Sequence, residues 1–241
     1  ELRGYFLKMK DILKYSVFYE VLFPEKVKDN LISTEEIETS FAFRKDVIYK
    51  IQDDYVINSP HTKIVVFDLE TTGLDINEDK IIEIGAQKLC GFDIIDEYAT
   101  LINPFTDLSS FVTDLTGIKA DMLKDKPNIS DVLKFFLKFI EGSILVAHNA
   151  DFDMSFINKA FQAIGYNLQW PCLCTLKLSK VFLPELESKN LDELAKHFNL
   201  KFEARHRALG DVKVTAEILK ILLQSKASHL KTWRDFKPFM V

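Results

Sequence analysis

The apolar positions of this chain change period as it is read from residue 60 onward, and the change predicts alternating strands and helices. Lys63-Ile64-Val65-Val66-Phe67-Asp68-Leu69 is a short, largely β-branched run, the pattern of a buried strand. Residues 80–90 and 93–102 read as two further strands joined at Gly91-Phe92, which suggests antiparallel neighbours in a mixed sheet, with Asn103-Pro104 ending the second. Val132, Leu133, Phe136, Leu137 and Ile140 then recur at helical spacing, with Ser130 ahead of Asp131 as the expected cap. Ile144-Leu145-Val146-Ala147 returns to the pattern of a buried strand. Beyond residue 150 the periodicity predicts helices over 152–165, 175–182, 191–198 and 207–224, with Gly165 and Pro184 marking two ends.

Asn58-Ser59-Pro60-His61 punctuates the chain between this α/β pattern and a different N-terminal stretch. There, Asp11 to Phe23 reads as an apolar helix and Ser33-Thr34-Glu35-Glu36-Ile37 as a helix start. Val47 to Ile57 alternates around Asp53-Asp54 like a hairpin. The organisation expected is a small N-terminal appendage over 1–60, helical or winged-helix-like, a catalytic-type domain over 61–226 and a C-terminal tail over 227–241. Because residues 1–60 are slightly acidic, a packing, protein-partner or self-association role fits them at least as well as DNA binding.

Composition narrows the class. With 241 residues, 47% of them hydrophobic, and only eight glycines, the chain is expected to be a globular protein with a sizeable core. Cys90, Cys172 and Cys174 are odd in number and lack zinc-ligand spacing, so neither a disulfide framework nor a structural zinc site is expected. No apolar run approaches the ~18 residues of a membrane span, and the N-terminal segment is too densely charged for a signal peptide, so a cytoplasmic setting is expected. Position 1 is Glu, which fits a natural N-terminus lying upstream. The net charge of −5 is unevenly spread: residues 171–241 carry a surplus of five positive charges, and 61–170 a net charge of −8. An acidic, cation-filled cleft with a basic flank could hold a polyanion, although an ordinary solvated surface would show the same pattern.

Three segments carry the chemistry. Asp68-Leu69-Glu70-Thr71-Thr72-Gly73 ends a predicted strand, so Asp68 and Glu70, two apart, project from one face. Two like charges at 4 Å repel by roughly 4 kcal/mol at an effective dielectric near 20, a conflict that a cation between them resolves. A solvated strand end is the plain alternative, which the apolar lead-in makes less apt. Thr71, Thr72 and Gly73 offer hydroxyls and close backbone approach to a sugar or phosphate, or simply a turn. His148-Asn149-Ala150-Asp151-Phe152-Asp153 follows a second buried strand and opens a helix, at the sheet edge where α/β folds collect ligands. Asp153 suits a metal ligand and Asp151 a solvated helix start, though spacing alone does not choose between them, and Phe152 reads as core by residue type. In His206-Arg207-Ala208-Leu209-Gly210-Asp211 the first and last residues lie about 140° apart on a continuous helix. The consistent arrangement has Asp211 within the helix as a ligand and His206 on the preceding loop as a general base.

Taken together and in this order, the three motifs resemble those of the DEDD exonucleases of the histidine subtype, from about residue 62 to 224. Leu115-Thr116-Gly117-Ile118 adds a likeness to the bacterial branch that includes the ε proofreading subunit of DNA polymerase III. The resemblance implies an RNase H-like fold and 3′→5′ removal of nucleotides as nucleoside 5′-monophosphates. It makes Asp68, Glu70, Asp153 and Asp211 the ligands of two divalent ions, Mg2+ or Mn2+, and His206 the base. Thr71, Thr72, Leu74, His148, Asn149 and Phe152 would line the pocket for the terminal nucleotide. The expected partner is nucleic acid with a free 3′ end, single-stranded DNA ahead of RNA, in proofreading or repair. A non-catalytic nucleic-acid-binding regulator is the alternative from another class. The chain departs from the pattern at Cys174, where relatives of the ε type often carry an acidic residue, and has no convincing sliding-clamp peptide near its C-terminus.

Overall fold

The computed structural model describes residues 46–57 and 59–241. Strands β1 (Asp46–Ile48), β2 (Lys63–Thr71), β3 (Ile81–Cys90), β4 (Asp93–Leu101), β5 (Ile144–Ala147), β6 (Asn167–Gln169) and β7 (Cys172–Cys174) alternate with helices. The principal helices are α1 (Ser110–Thr116), α2 (Ala120–Leu123), α3 (Ile129–Ile140), α4 (Ala150–Ala163), α5 (Thr175–Phe182), α6 (Leu191–His197), α7 (Ala208–Gln224) and α8 (Trp233–Phe236). A five-stranded mixed sheet has the order β4-β3-β2-β5-β7. Its β2–β3 and β3–β4 pairs are antiparallel, and β2–β5 and β5–β7 parallel.

Alternation along β2 decides what each face of this sheet holds, because successive side chains point to opposite sides. Val65, Phe67 and Leu69 face the layer of α3 and α4, packing in one cluster with Phe136, Ile140, Ile157 and Phe161. Ile64 and Val66 face the opposite layer with Leu178, Leu194, Ile218 and Leu219 from α5, α6 and α7. Asp68 and Glu70 continue the parity of Ile64 and Val66, so the same alternation that buries the strand turns its two acids toward α7. The register carries this into β3, where Gly85 stands opposite Asp68 and Glu83 opposite Glu70.

The expected strands, the hairpin at Gly91-Phe92 and the four later helices are all present, with ends shifted by at most a few residues. Three local features differ. Asn128, not Ser130, caps α3: its side-chain oxygen accepts from the Asp131 amide at 3.0 Å and from the Ser130 hydroxyl, which lies inside the first turn. Val47 to Ile57 is not a self-paired hairpin. Its first half pairs in parallel with β6, Val56 bridges Thr232 instead, and Asp53-Asp54 is a turn within a segment that packs against remote parts of the chain. Tyr49 stacks on Trp170 with ring centroids 4.6 Å apart, a contact period-two alternation cannot foresee. Residues 227–241 are packed in: Trp233, Phe236 and Phe239 are buried, and the Val241 amide donates to the Cys172 carbonyl at 3.0 Å. The two helices expected over Asp11–Phe23 and after Ser33 lie outside the described residues.

Gly85 is the point where α7 touches the sheet. A Cβ there would lie 2.4 Å from the Leu209 amide nitrogen and 2.5 Å from the Ala208 carbonyl carbon, both backbone atoms. Gly85→Ala should therefore push the start of α7 outward and destabilise the fold by about 1–3 kcal/mol. Urea denaturation checks this, and a midpoint equal to wild type would mean that α7 is free to back away from β3.

Candidate active site

Three structural devices bring the predicted acids to one place. β2 delivers Asp68 and Glu70, and its pairing with β3 breaks register between Glu70 and Thr71, where the strand leaves the ladder. β5 ends at Ala147, Asn149 adopts a left-handed conformation (φ 66°), and α4 begins at Ala150, so that Asp153 falls in the helix's first turn. The loop before α7 ends at Arg207, and Asp211 falls in the first turn of α7. Asp68, Glu70 and Asp211 each place a carboxylate oxygen within 4.8 Å of the others. Asp153 is buried (2% exposed) and couples electrostatically to Asp68. Asp151 is exposed and pairs with Lys177 at 3.2 Å, the solvated role expected of it.

The loop carrying His206 is held by residues that sequence reading did not single out. Glu83 accepts from Arg207 Nη2 at 2.7 Å, from Arg207 Nε at 3.1 Å and from the Ala208 amide at 3.0 Å, so one buried carboxylate caps α7 and anchors the arginine before it. Arg205 forks onto Asp192 (Nε–Oδ1 2.7 Å, Nη2–Oδ2 2.9 Å) and also donates to Asp211. Glu83 was hidden because it looks like any polar residue of a half-buried strand. Only its register opposite Glu70 reveals it. His206 itself has φ 58°, outside the helix as expected.

The remaining predicted residues surround this centre unequally. Thr72 is committed to the turn: its hydroxyl donates to Asp79 Oδ1 at 2.8 Å and accepts from the Lys80 amide. The Thr71 hydroxyl donates to the Gly73 carbonyl at 2.6 Å. Leu74 stands 83% exposed on the same loop. Phe152 is half-buried against Phe156. His148 Nδ1 lies 2.9 Å from the Thr175 hydroxyl, at the bottom of an open cleft of about 610 Å³. Asp68 and Asp211 line that cleft together with Lys180, Lys189 and Arg205, and Glu187 adds a further carboxylate.

Electrostatics mark the cluster as strained in the absence of a cation. Withdrawal from water, reinforced by Asp153, Glu70 and Asp211, holds the Asp68 carboxyl well above its ordinary range. Burial, with Asp211 and Glu83 adding repulsion, pushes Glu70 up to about 8. Burial likewise pushes Asp153 up to about 8, against the backbone amides of Asp153 and Leu69. Asp211 rises only to about 6, because Arg205 opposes its desolvation. Burial lowers His148 to about 4, and burial with Arg205 lowers His206, so both rings are neutral at pH 7. Asp153 Oδ1 and Asp211 Oδ1 are buried with no hydrogen-bond partner. Buried, unpartnered carboxylate oxygens that repel one another are the donor set of a hard divalent cation.

A pH dependence follows with a definite sign. Between pH 6.5 and 8.5 the folded, metal-free protein retains carboxyl protons, on Glu70 and Asp153 above all, that the unfolded chain has already lost near pH 4. Stability then falls as pH rises through about 8, since folding binds protons in that window. The expected result is a melting temperature that declines from pH 6.5 to 8.5 in EDTA and is restored by Mg2+ most strongly at the upper end. A flat profile in EDTA would mean that neither burial nor like charge keeps Glu70 and Asp153 protonated in the folded protein.

Comparison with known proteins supplies the wider setting. Residues 65–219 match a family model described as exonuclease (RNase_T). A PolC-type DNA polymerase III of Caldanaerobacter subterraneus is 46% identical over 162 residues, covering 67% of this chain but 12% of that protein. The PolC-type polymerase of Thermotoga maritima is 43% identical over 207 residues, 80% of this chain and 15% of its own length. The chain therefore spans less than a sixth of these curated relatives. Among solved structures, exonuclease X in complex with 5′ overhanging duplex DNA superposes with a TM-score of 0.60 at 25% identity, covering 73% of this chain and 99% of that one. Exonuclease I shares the fold with a TM-score of 0.62 at 17% identity, over 70% of this chain and 42% of its own.

Proposed function

This chain belongs to the exonuclease family, and we propose that it is a metal-dependent 3′→5′ exonuclease that trims single-stranded DNA ends to nucleoside 5′-monophosphates in proofreading or repair. The observation that carries the reading is the convergence of Asp68, Glu70 and Asp211 beside buried Asp153, with two carboxylate oxygens left unpartnered. In this reading those four acids hold two divalent ions, Mg2+ or Mn2+. When bound, such ions supply Lewis acidity and countercharge to the developing negative charge on the phosphate. His206, neutral at pH 7 and outside the helix that carries Asp211, accepts the proton of the attacking water.

The cleft fits a single strand. Asp68 and Asp211 in its wall meet the terminal phosphodiester, while Lys180 and Lys189 in the same wall offer countercharge to neighbouring phosphates. Leu74, exposed on the loop after β2, is free to contact a base, while Phe152 is half-buried against Phe156. Thr71 and Thr72 act through backbone and turn geometry, since their hydroxyls are engaged internally. His148 and Asn149 line the same cleft. The likeness to exonuclease X in complex with 5′ overhanging duplex DNA and to PolC-type DNA polymerases supports DNA as the substrate. Residues 61–226 carry the chemistry, and residues 1–60 are the candidate region for a protein partner or self-association.

The test is digestion of matched 5′-labelled single-stranded DNA and RNA oligonucleotides in Mg2+, Mn2+ or EDTA. A stepwise, metal-dependent ladder from the 3′ end is expected, faster on DNA; faster trimming of RNA would reassign the substrate, and no shortening of either would favour a binding role. Asp68→Ala should abolish turnover while leaving the fold intact, because it removes a ligand from a repulsive cluster. His206→Ala should lower the rate by ~10²–10⁴-fold with metal binding retained; metal loss in that variant would make His206 a ligand instead.

A further inference from the structure

Among the described residues, Arg205 is the guanidinium set directly against Asp211 of the acidic centre, and it is held there from three sides. Two of its nitrogens fork onto Asp192 of α6 at 2.7 and 2.9 Å. Its Cζ lies 4.9 Å from the centroid of the Phe202 ring. A third nitrogen, Nη1, donates to Asp211 Oδ2. The backbone keeps the loop pressed on α7: a Cβ on Gly210 would lie 1.9 Å from the Ala204 carbonyl oxygen, an approach only glycine permits. The arginine side chain is 27% exposed and that of Asp211 6%, so the contact is set at the mouth of the cleft with its inner partner buried.

We propose that Arg205 is a resident counterion of the acidic cluster: it holds Asp211 in the metal-free protein, competes with an incoming divalent ion for that carboxylate, and withdraws onto Asp192 when the ion binds. This inference rests on Asp211 being a metal ligand, as proposed above. Asp211 has two oxygens, of which Oδ1 is buried and unpartnered and Oδ2 is occupied by the guanidinium. A cation bridging Asp68, Glu70 and Asp211 gains a second Asp211 oxygen only where Arg205 gives it up. Asp192 makes that exchange easy, because the fork on its carboxylate is independent of Nη1 and survives the release. The positive charge stays at the rim of the cleft throughout.

The measurement is Mn2+ binding by calorimetry or electron paramagnetic resonance without nucleic acid, on wild type, Arg205→Gln and Arg205→Lys, with thermal melts in EDTA. Glutamine removes the charge, so Arg205→Gln should bind Mn2+ about two- to fivefold more tightly, the fold equivalent of a partly exposed ion pair. It should also melt lower than wild type in EDTA, with the gap closing at saturating Mn2+. Arg205→Lys keeps the charge but cannot serve both carboxylates, and should fall between the two. Unchanged or weaker Mn2+ binding by folded Arg205→Gln overturns the proposal; if that variant fails to fold without metal, Arg205→Lys decides by the same criterion. Asp211→Asn is the control for the underlying reading: if it binds Mn2+ as wild type does, Asp211 is no ligand and the functional reading fails at that residue, separately from any result at Arg205.

Discussion

Repulsion among carboxylates confined at one edge of a sheet is the constraint around which this structure is organised. Asp68, Glu70, Asp153 and Asp211 are each withdrawn from water, and like charge from within the set adds to that cost at Asp68, Glu70 and Asp153. Glu70 and Asp153 answer with protons, and Asp211 answers with an arginine. A hard divalent cation answers for all of them at once, and the unpartnered oxygens of Asp153 and Asp211 are where its demand is visible.

Holding such a cluster together requires rigidity from groups that have no charge to offer it. The parallel pairing of β2 with β5 sets the first turn of α4 at the edge where β2 ends, and the packing of α7 across β2 and β3 brings its first turn to the same place. Gly85 and Gly210 allow backbone-to-backbone approach on either side of α7's first turn. Glu83 fixes the same turn by capping Ala208 and gripping Arg207. The helix that carries Asp211 is thus positioned by the strand next to the one that carries Asp68 and Glu70, which keeps their separation insensitive to the surrounding loops.

The fold was legible where a single period ran long enough to be read. β2, the β3–β4 hairpin, β5 and the four later helices follow directly from strand alternation, short apolar runs and helical spacing. The acidic positions were legible too, because a pair of acids at strand parity after an apolar lead-in has few ordinary uses. The failures have a common cause in non-local pairing. β1 and β6 are three residues each, and each exists only because the other is there; Val56 finds Thr232 across the whole chain. Tyr49 and Trp170 bury each other, and the aromatic residues near the C-terminus fill the layer beside α5. No window of sequence contains such contacts. The same limit applies at the site: Glu83, Asp192 and Arg205 are ordinary surface types until the fold sets them opposite Arg207, Arg205 and Asp211.

The four acids are therefore not equivalent, and the difference bears on how the centre is occupied. Burial, more than any other influence, raises the carboxyls of Asp68, Glu70 and Asp153, and like charge adds to it, so in the metal-free state their neutrality is a matter of bound protons. Asp211 is desolvated as well, yet its carboxyl rises only to about 6, because a guanidinium fixed from α6 faces it. On the proposal made for Arg205, filling the centre with cations would involve two different exchanges: protons would leave the strand and the α4 side, while an ion pair would be remodelled on the α7 side. The first exchange grows easier as pH rises, whereas the second no longer changes with pH above about 6, where Asp211 is ionised and the arginine remains charged. In the proposed reading the cations would be held from both layers of the sheet, and the two layers meet where β2 leaves its ladder after Glu70, beside the first turns of α4 and α7.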